Sequence, residues 1–147
     1  MKRNALALTT AVLTLILGLA ISPIAQTQET KSLFERLGGE PAIAAVVDGM
    51  VANIAADEKL AWRFEKTDFD AYKPTFVSFV CMVTGGPCDY DGLSMPNAHS
   101  RMGVSSEEFD ITVGHVLAVL DDLGVPAREK AELIMLVSTL RVSVIEQ

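Results

Sequence analysis

The chain is short of the residues from which most enzyme sites are built. Its 147 residues hold two histidines, His99 and His115, two cysteines, Cys81 and Cys88, and one tryptophan. Neither histidine has a second ligand at helical spacing and C-x6-C is not a finger spacing, which excludes a structural zinc site. The absence of C-x-x-C-H excludes a covalently attached c-type haem. No P-loop, dinucleotide fingerprint or nucleophile elbow is present either. Basic residues are outnumbered, twelve against nineteen acids, for a formal charge of −7. A surface of that sign repels phosphate backbones, so nucleic acid is excluded as a partner. No stretch alternates apolar with polar residues as a strand does, and no segment repeats, so the expected fold is all-α.

What is there begins with an export pattern. Lys2 and Arg3 precede an apolar run over residues 5–24 that ends in Ala25, Gln26 and Thr27, the layout of a signal peptide. Cleavage after Ala25 and cleavage after Thr27 both stay open, as does an uncleaved membrane anchor, because the run approaches the length of a spanning helix. No cysteine directly follows the run, which excludes a lipoprotein anchor. The expected division is a leader over residues 1–27 and one domain over 28–147, exported to the periplasm or held at the membrane by residues 5–24. Loss of Lys2 and Arg3 with the leader takes the charge from −7 to −9. In an oxidising compartment Cys81 and Cys88 either pair or remain free, Cys81 packing as a small apolar residue.

Within the domain, Ser32 and Glu35 form a capping box ahead of a short helix ended by Gly38 and Gly39. Pro41 opens a second helix, with Ile43, Val46, Val47, Met50, Val51 and Ile54 on one face and Asp57 at its end. A short turn carries Trp62 and Phe64. Thr67, Asp68 or Asp70 caps the next helix, which aligns Phe69, Tyr72, Phe76, Phe79, Val80 and Val83. Pro74 interrupts that pattern, so this helix either begins there or has a distorted first turn. Ser105 and Glu108 make a second capping box before Phe109, Val113, Val116, Leu117, Leu120 and Leu123. A last helix aligns Leu133, Ile134, Val137, Leu140 and Val144, with Arg128, Glu129, Lys130 and Glu132 near its exposed start.

Between the third and fourth long segments lies GGPCDYDGLSMPNAHSRMG, from Gly85 to Gly103. Glycines bound it, Ser94 and Pro96 start a brief helix, and His99 sits on that helix with few apolar neighbours. One imidazole presented this way suits a flat cofactor, with a solvent-facing histidine as the plainer alternative. Met95, His99 and Met102 together form M-x3-H-x2-M, a group whose soft thioethers and imidazole suit copper, although methionine more often fills a core. His115, inside a long amphipathic helix, reads as a structural or surface residue, and Asp89 and Asp91 as turn formers.

With these residues in view, the chain from Ser32 onward resembles the truncated haemoglobins of bacterial group I. The resemblance is carried by LFERLGGEPAI, ADEKL, TGGPCDYDGLSM, NAHSRMGVSSEEF and VGHVLAVLDDLGVP in that order. It implies a two-over-two helical sandwich around non-covalent haem b, with His99 as the proximal iron ligand. By the same resemblance Phe64 packs on the porphyrin, Tyr90 and Met95 border its edge, and Arg101 reaches a propionate. The distal side departs from the family pattern: Val51 stands where many members have tyrosine and Phe76 where they have glutamine or histidine, leaving Tyr72 as the nearby phenol. The implied function is reversible binding of oxygen, nitric oxide or carbon monoxide. The alternatives are nitric oxide dioxygenation or peroxide turnover, both requiring an unknown reductase as partner, and a copper or redox module.

Overall fold

A computed structural model describes residues 31–145. The leader and its proposed cleavage sites lie outside the described residues. Among the described residues seven helices follow one another: α1 (Leu33–Leu37), α2 (Glu40–Ala56), α3 (Phe69–Val83), α4 (Met95–His99), α5 (Ser106–Asp122), α6 (Ala127–Thr139) and α7 (Arg141–Val144), with a 3-10 turn at Ala61–Phe64 between α2 and α3. Among the described residues there is no strand, only an isolated bridge between Val104 and Ile145. No helix of the described residues is long and apolar enough to cross a membrane.

Local chemistry sets the helix ends. Both capping boxes form: the Ser32 and Ser105 hydroxyls each accept the backbone N–H three residues on, and the carboxylates of Glu35 and Glu108 return to the Ser32 and Ser105 N–H groups. Three helices end in the same glycine motif. Gly38, Gly85 and Gly124 take φ of 106°, 81° and 66°, and the residue after each donates its N–H five residues back, Gly39 to Phe34, Gly86 to Cys81 and Val125 to Leu120, at 2.8 to 2.9 Å. Asp68 is the cap of α3, accepting from Asp70 and Ala71. The helix therefore begins at Phe69 and contains Pro74, which resolves the two starts left open by the sequence.

Two apolar clusters divide the interior. The larger joins α1, α2, α3, α5 and α6 around Ile43, Val47, Leu60, Cys81 and Leu120. The smaller gathers Val104, Phe109 and Val144, with Met95, Val113, Val137, Leu140 and Ile145 packed on them. α2 crosses both α3 and α5. At the second crossing Gly49 is required, since a Cβ there would stand 2.8 Å from a Val119 methyl.

The tertiary packing corrects the sequence reading at three places. Val119 faces the core of α5, whereas Leu117 and Leu123 are exposed, because the close approach to Gly49 rotates the buried stripe. Glu129 is buried rather than at an exposed start; Arg36 of α1 donates Nε to it at 3.1 Å and also pairs with Glu132. The last apolar run is not one helix. It breaks at Leu140, and the turn delivers Leu140 and Val144 to the smaller cluster.

Candidate haem site

The two clusters do not close on each other. Between them lies a cavity of about 330 Å³, within the range of small-molecule and cofactor sites. One wall comes from the larger cluster and its neighbours: Met50 and Ile54 of α2, Phe64 of the 3-10 turn, and Tyr72, Phe76 and Phe79 of α3. The other comes from Met95, His99, Val104, Phe109, Leu140 and Val144. The aromatic side is ordered as a series. Tyr72 stacks on Phe76 at 5.6 Å, Phe76 on Phe79 at 6.3 Å, and Tyr90 meets Phe79 edge-on at 5.2 Å, separations at which ring pairs attract.

His99 occupies the last residue of α4, a helix too short to stand alone. It is held by contacts with α7 and by Met95 in the smaller cluster. The imidazole Nδ1 lies 2.9 Å from the Met95 carbonyl, an acceptor only, so Nδ1 carries the proton and donates. Nε2 is left with its lone pair, and the ring lines the cavity. This is the tautomer a metal ligand needs. The donor set, one bare imidazole nitrogen among aromatic and aliphatic walls, fits a haem.

Tyr72 is the second polar group of interest. Burial, with a smaller contribution from Tyr90, pushes its phenol up to about 12, so it remains a proton donor at any physiological pH. Its hydroxyl makes no hydrogen bond among the described residues. Tyr90, by contrast, donates to the Leu93 carbonyl at 2.7 Å and is turned toward its own loop.

That loop is tied down covalently. Cys81 at the end of α3 and Cys88 form a disulfide with Cα atoms 5.9 Å apart, which decides the pairing the sequence left open. Gly86 is enclosed by this bridge: a Cβ there would lie 2.6 Å from the Cys81 sulfur and 2.6 Å from the Phe34 ring. The glycine pair thus has two reasons, left-handed backbone at Gly85 and close approach at Gly86.

Of the residues singled out from sequence, Phe64, Tyr72, Phe76, Tyr90, Met95 and His99 all line the cavity. Val51 does not. It is packed in the larger core while its neighbour Met50 faces the cavity, since adjacent helical residues point about 100° apart. Arg101 is exposed, with a left-handed backbone of φ 63°, and stands outside the lining. The lining also includes two charged residues that sequence reasoning passed over, Arg63 and Glu108. They pair with each other, and the Arg63 guanidinium holds the Glu108 carboxyl down to about 2. Forty-five residues separate them, and no local pattern signals the pair. His115 is not among the lining residues; it donates Nε2–H to Asp57 at 2.9 Å across α5 and the end of α2. Met102 joins Met95 and His99 in the lining, while no cluster of three or more His, Cys, Asp or Glu suited to a metal exists among the described residues.

A short helical domain with one cavity-facing imidazole at a glycine-bounded segment is the architecture of the two-over-two globins. The bacterial-like globin family matches residues 32–146, and the chain belongs to it. Among its relatives are the group 1 truncated haemoglobin of Mycolicibacterium paratuberculosis, 30% identical over 76% of this chain and 82% of that protein, and that of Tetrahymena pyriformis, 35% identical over 65% and 78%. The crystal structure of the T. pyriformis protein in its Fe(III) form superposes with a TM-score of 0.77, at 30% identity, over 80% of this chain and all of that one. The 2/2 haemoglobin of Synechococcus sp. PCC 7002 gives 0.74 at 27% identity, over 78% and 98%. The fold is that of a truncated group 1 globin, whose cofactor is haem b and whose ligands are small diatomic gases.

Proposed function

We propose that this protein is an exported globin that binds oxygen or a similar diatomic gas reversibly, with Nε2 of His99 as its proximal iron ligand. The observation that carries the ligand assignment is the bond from Nδ1–H of His99 to the Met95 carbonyl. It fixes the ring and makes Nε2 the more basic nitrogen. Haem, when bound, supplies an iron with a coordination position for the gas. Phe64, Phe76 and Phe79 exclude water from the space around it, which favours reversible binding over oxidation.

Tyr72 is the distal donor in this reading. Its phenol is unpartnered, largely desolvated and part of the cavity wall, so a ligand bearing partial negative charge gains a hydrogen bond there. Phe76, apolar where many family members carry glutamine or histidine, offers no donor, which leaves Tyr72 as the phenol of this wall. Export is supported by the Lys2, Arg3 and residues 5–24 pattern and by the Cys81–Cys88 disulfide, a bond that persists in oxidising compartments.

Titrating purified protein with hemin tests the ligand assignment. A Soret band that forms with one-to-one stoichiometry and is lost or strongly displaced in His99→Ala is the expected outcome, and a band unchanged by that substitution refutes it. Fractionating cells and sequencing the N-terminus of the recovered chain tests export.

A further inference from the structure

Arg63 lies in the 3-10 turn beside Phe64, yet its guanidinium is committed to the opposite wall. Nε and Nη2 donate to the two carboxylate oxygens of Glu108 at 2.5 and 2.8 Å, Nη1 donates to the Met102 carbonyl at 2.8 Å, and Nη2 to the Gly103 carbonyl at 3.2 Å. The plane stacks over the Trp62 ring, 4.4 Å from its centroid. Only 12% of the Arg63 side chain and 15% of Glu108 is exposed. This is a planar fork used at nearly full capacity, a geometry that lysine does not reproduce.

The two carbonyls belong to the connection that leads from His99 into α5. That connection is poorly self-supporting. Arg101 and Gly103 are both left-handed, at φ 63° and 56°, and the backbone bond linking it to the histidine is Met102 N–H to His99 O at 3.0 Å. Its far end is the capping box of α5, in which Glu108 accepts from Ser105 N–H at 2.8 Å while also receiving Arg63. One side chain from the α2–α3 side therefore grips both the strand of backbone after the histidine and the first turn of the helix that follows.

We propose that Arg63 is a positioning residue for the proximal histidine, fixing where α4 presents Nε2 of His99 and thereby how tightly haem is retained. The role rests on His99 being the iron ligand. It requires no contact between Arg63 and the haem: the arginine acts through the carbonyls of Met102 and Gly103, three and four residues beyond the ligand. Loss of the fork frees that connection, lets α4 tilt, and slackens the bond from imidazole to iron.

The test uses the full chain loaded with hemin, in wild-type form and as Arg63→Gln, Arg63→Lys, Glu108→Gln and His99→Ala. Three quantities are read: the rate of haem transfer to an excess of a scavenging apoprotein, the iron–histidine stretching band in the resonance Raman spectrum of the ferrous form, and the melting temperature. Arg63→Gln is expected to lose haem about tenfold faster, the cost of one charge-assisted interaction, and to shift or broaden the band. Arg63→Lys recovers little, because a point charge cannot span the carboxylate and two carbonyls. Glu108→Gln, which keeps the side-chain length and serves if Arg63→Gln does not fold, moves both readouts in the same direction by less. A lowered melting temperature with an unmoved band and an unmoved transfer rate overturns the positioning role. A band that survives His99→Ala overturns the ligand assignment, and the positioning role with it, whereas a band lost in His99→Ala but unaltered in the Arg63 variants overturns the positioning role alone.

Discussion

The two walls of the cavity are held by different forces. On one side α2 and α3 are long helices whose apolar faces are continuous with the main core, so the positions of Met50, Phe64, Tyr72 and Phe76 are set by many small contacts. On the other, α4 has five residues and its place depends on a few discrete ties: the smaller apolar cluster, the Arg63 fork, and the disulfide that anchors the loop leading to it. Removing one contact from the first wall changes little of its shape. Removing one tie from the second frees a whole segment. The difference teaches that a rigid surface for a gas pocket can come from helix packing alone, whereas a single ligand at a defined height needs directional bonds.

The largest effect should come from the core beneath the first wall. Leu120 is fully buried, and Leu120→Ala is expected to cost about 2 to 5 kcal/mol in denaturant unfolding, with both walls lost together because a single domain of this size unfolds as one unit. A loss confined to one wall would break the comparison. Next is the covalent tie. Removing the disulfide with a paired Cys81→Ser, Cys88→Ser variant should cost about 2 to 3 kcal/mol for so short a loop, and amide exchange should rise between Gly86 and Met95 far more than in α2. Equal rises in both places would contradict the division drawn above.

Acid provides a reversible version of the same experiment. The Glu108 carboxyl is held at about 2 against an ordinary 4.5 by Arg63. Because the folded value is the lower one, the stabilisation is fully present above pH 4.5 and is lost as pH falls from there toward 2. The connection after His99 should loosen over that interval, and Glu108→Gln should flatten the pH dependence of its amide exchange. The smallest effect belongs to the distal wall. Tyr72→Phe removes one neutral hydrogen bond of about 1 kcal/mol, so stopped-flow oxygen dissociation should quicken several-fold with no change in stability. A constant rate would mean the ligand does not reach the phenol.

Much of the site was legible before the fold was known, for reasons particular to each residue. His99 stood out because glycines bound its segment and packing did not explain it. Phe64, Tyr72, Phe76, Tyr90 and Met95 followed from helical spacing and from resemblance to the globins. Val51 lies in the larger core while Met50 lines the cavity, since resemblance assigns a position in the chain while the side chain's direction depends on how α2 is turned against α3 and α5. Arg101 drew attention by its nearness in sequence to His99; it is exposed and stands outside the lining. The pairing of Arg63 with Glu108 was invisible, because an ion pair spanning forty-five residues leaves no periodic trace.

The amino-acid sequence alone determined where α1 and α5 start and where α1, α3 and α5 stop, since capping boxes and left-handed glycines act over three to five residues and depend on nothing distant. It also determined that one imidazole would be set apart on a brief helix. Tertiary structure decided which faces meet: that Gly49 admits Val119, that Arg36 draws Glu129 inside, that the chain breaks at Leu140, and that Arg63 crosses to the wall bearing His99. Those outcomes depend on the relative placement of whole helices, a quantity fixed by the summed packing of the domain and carried by no single stretch of its chain.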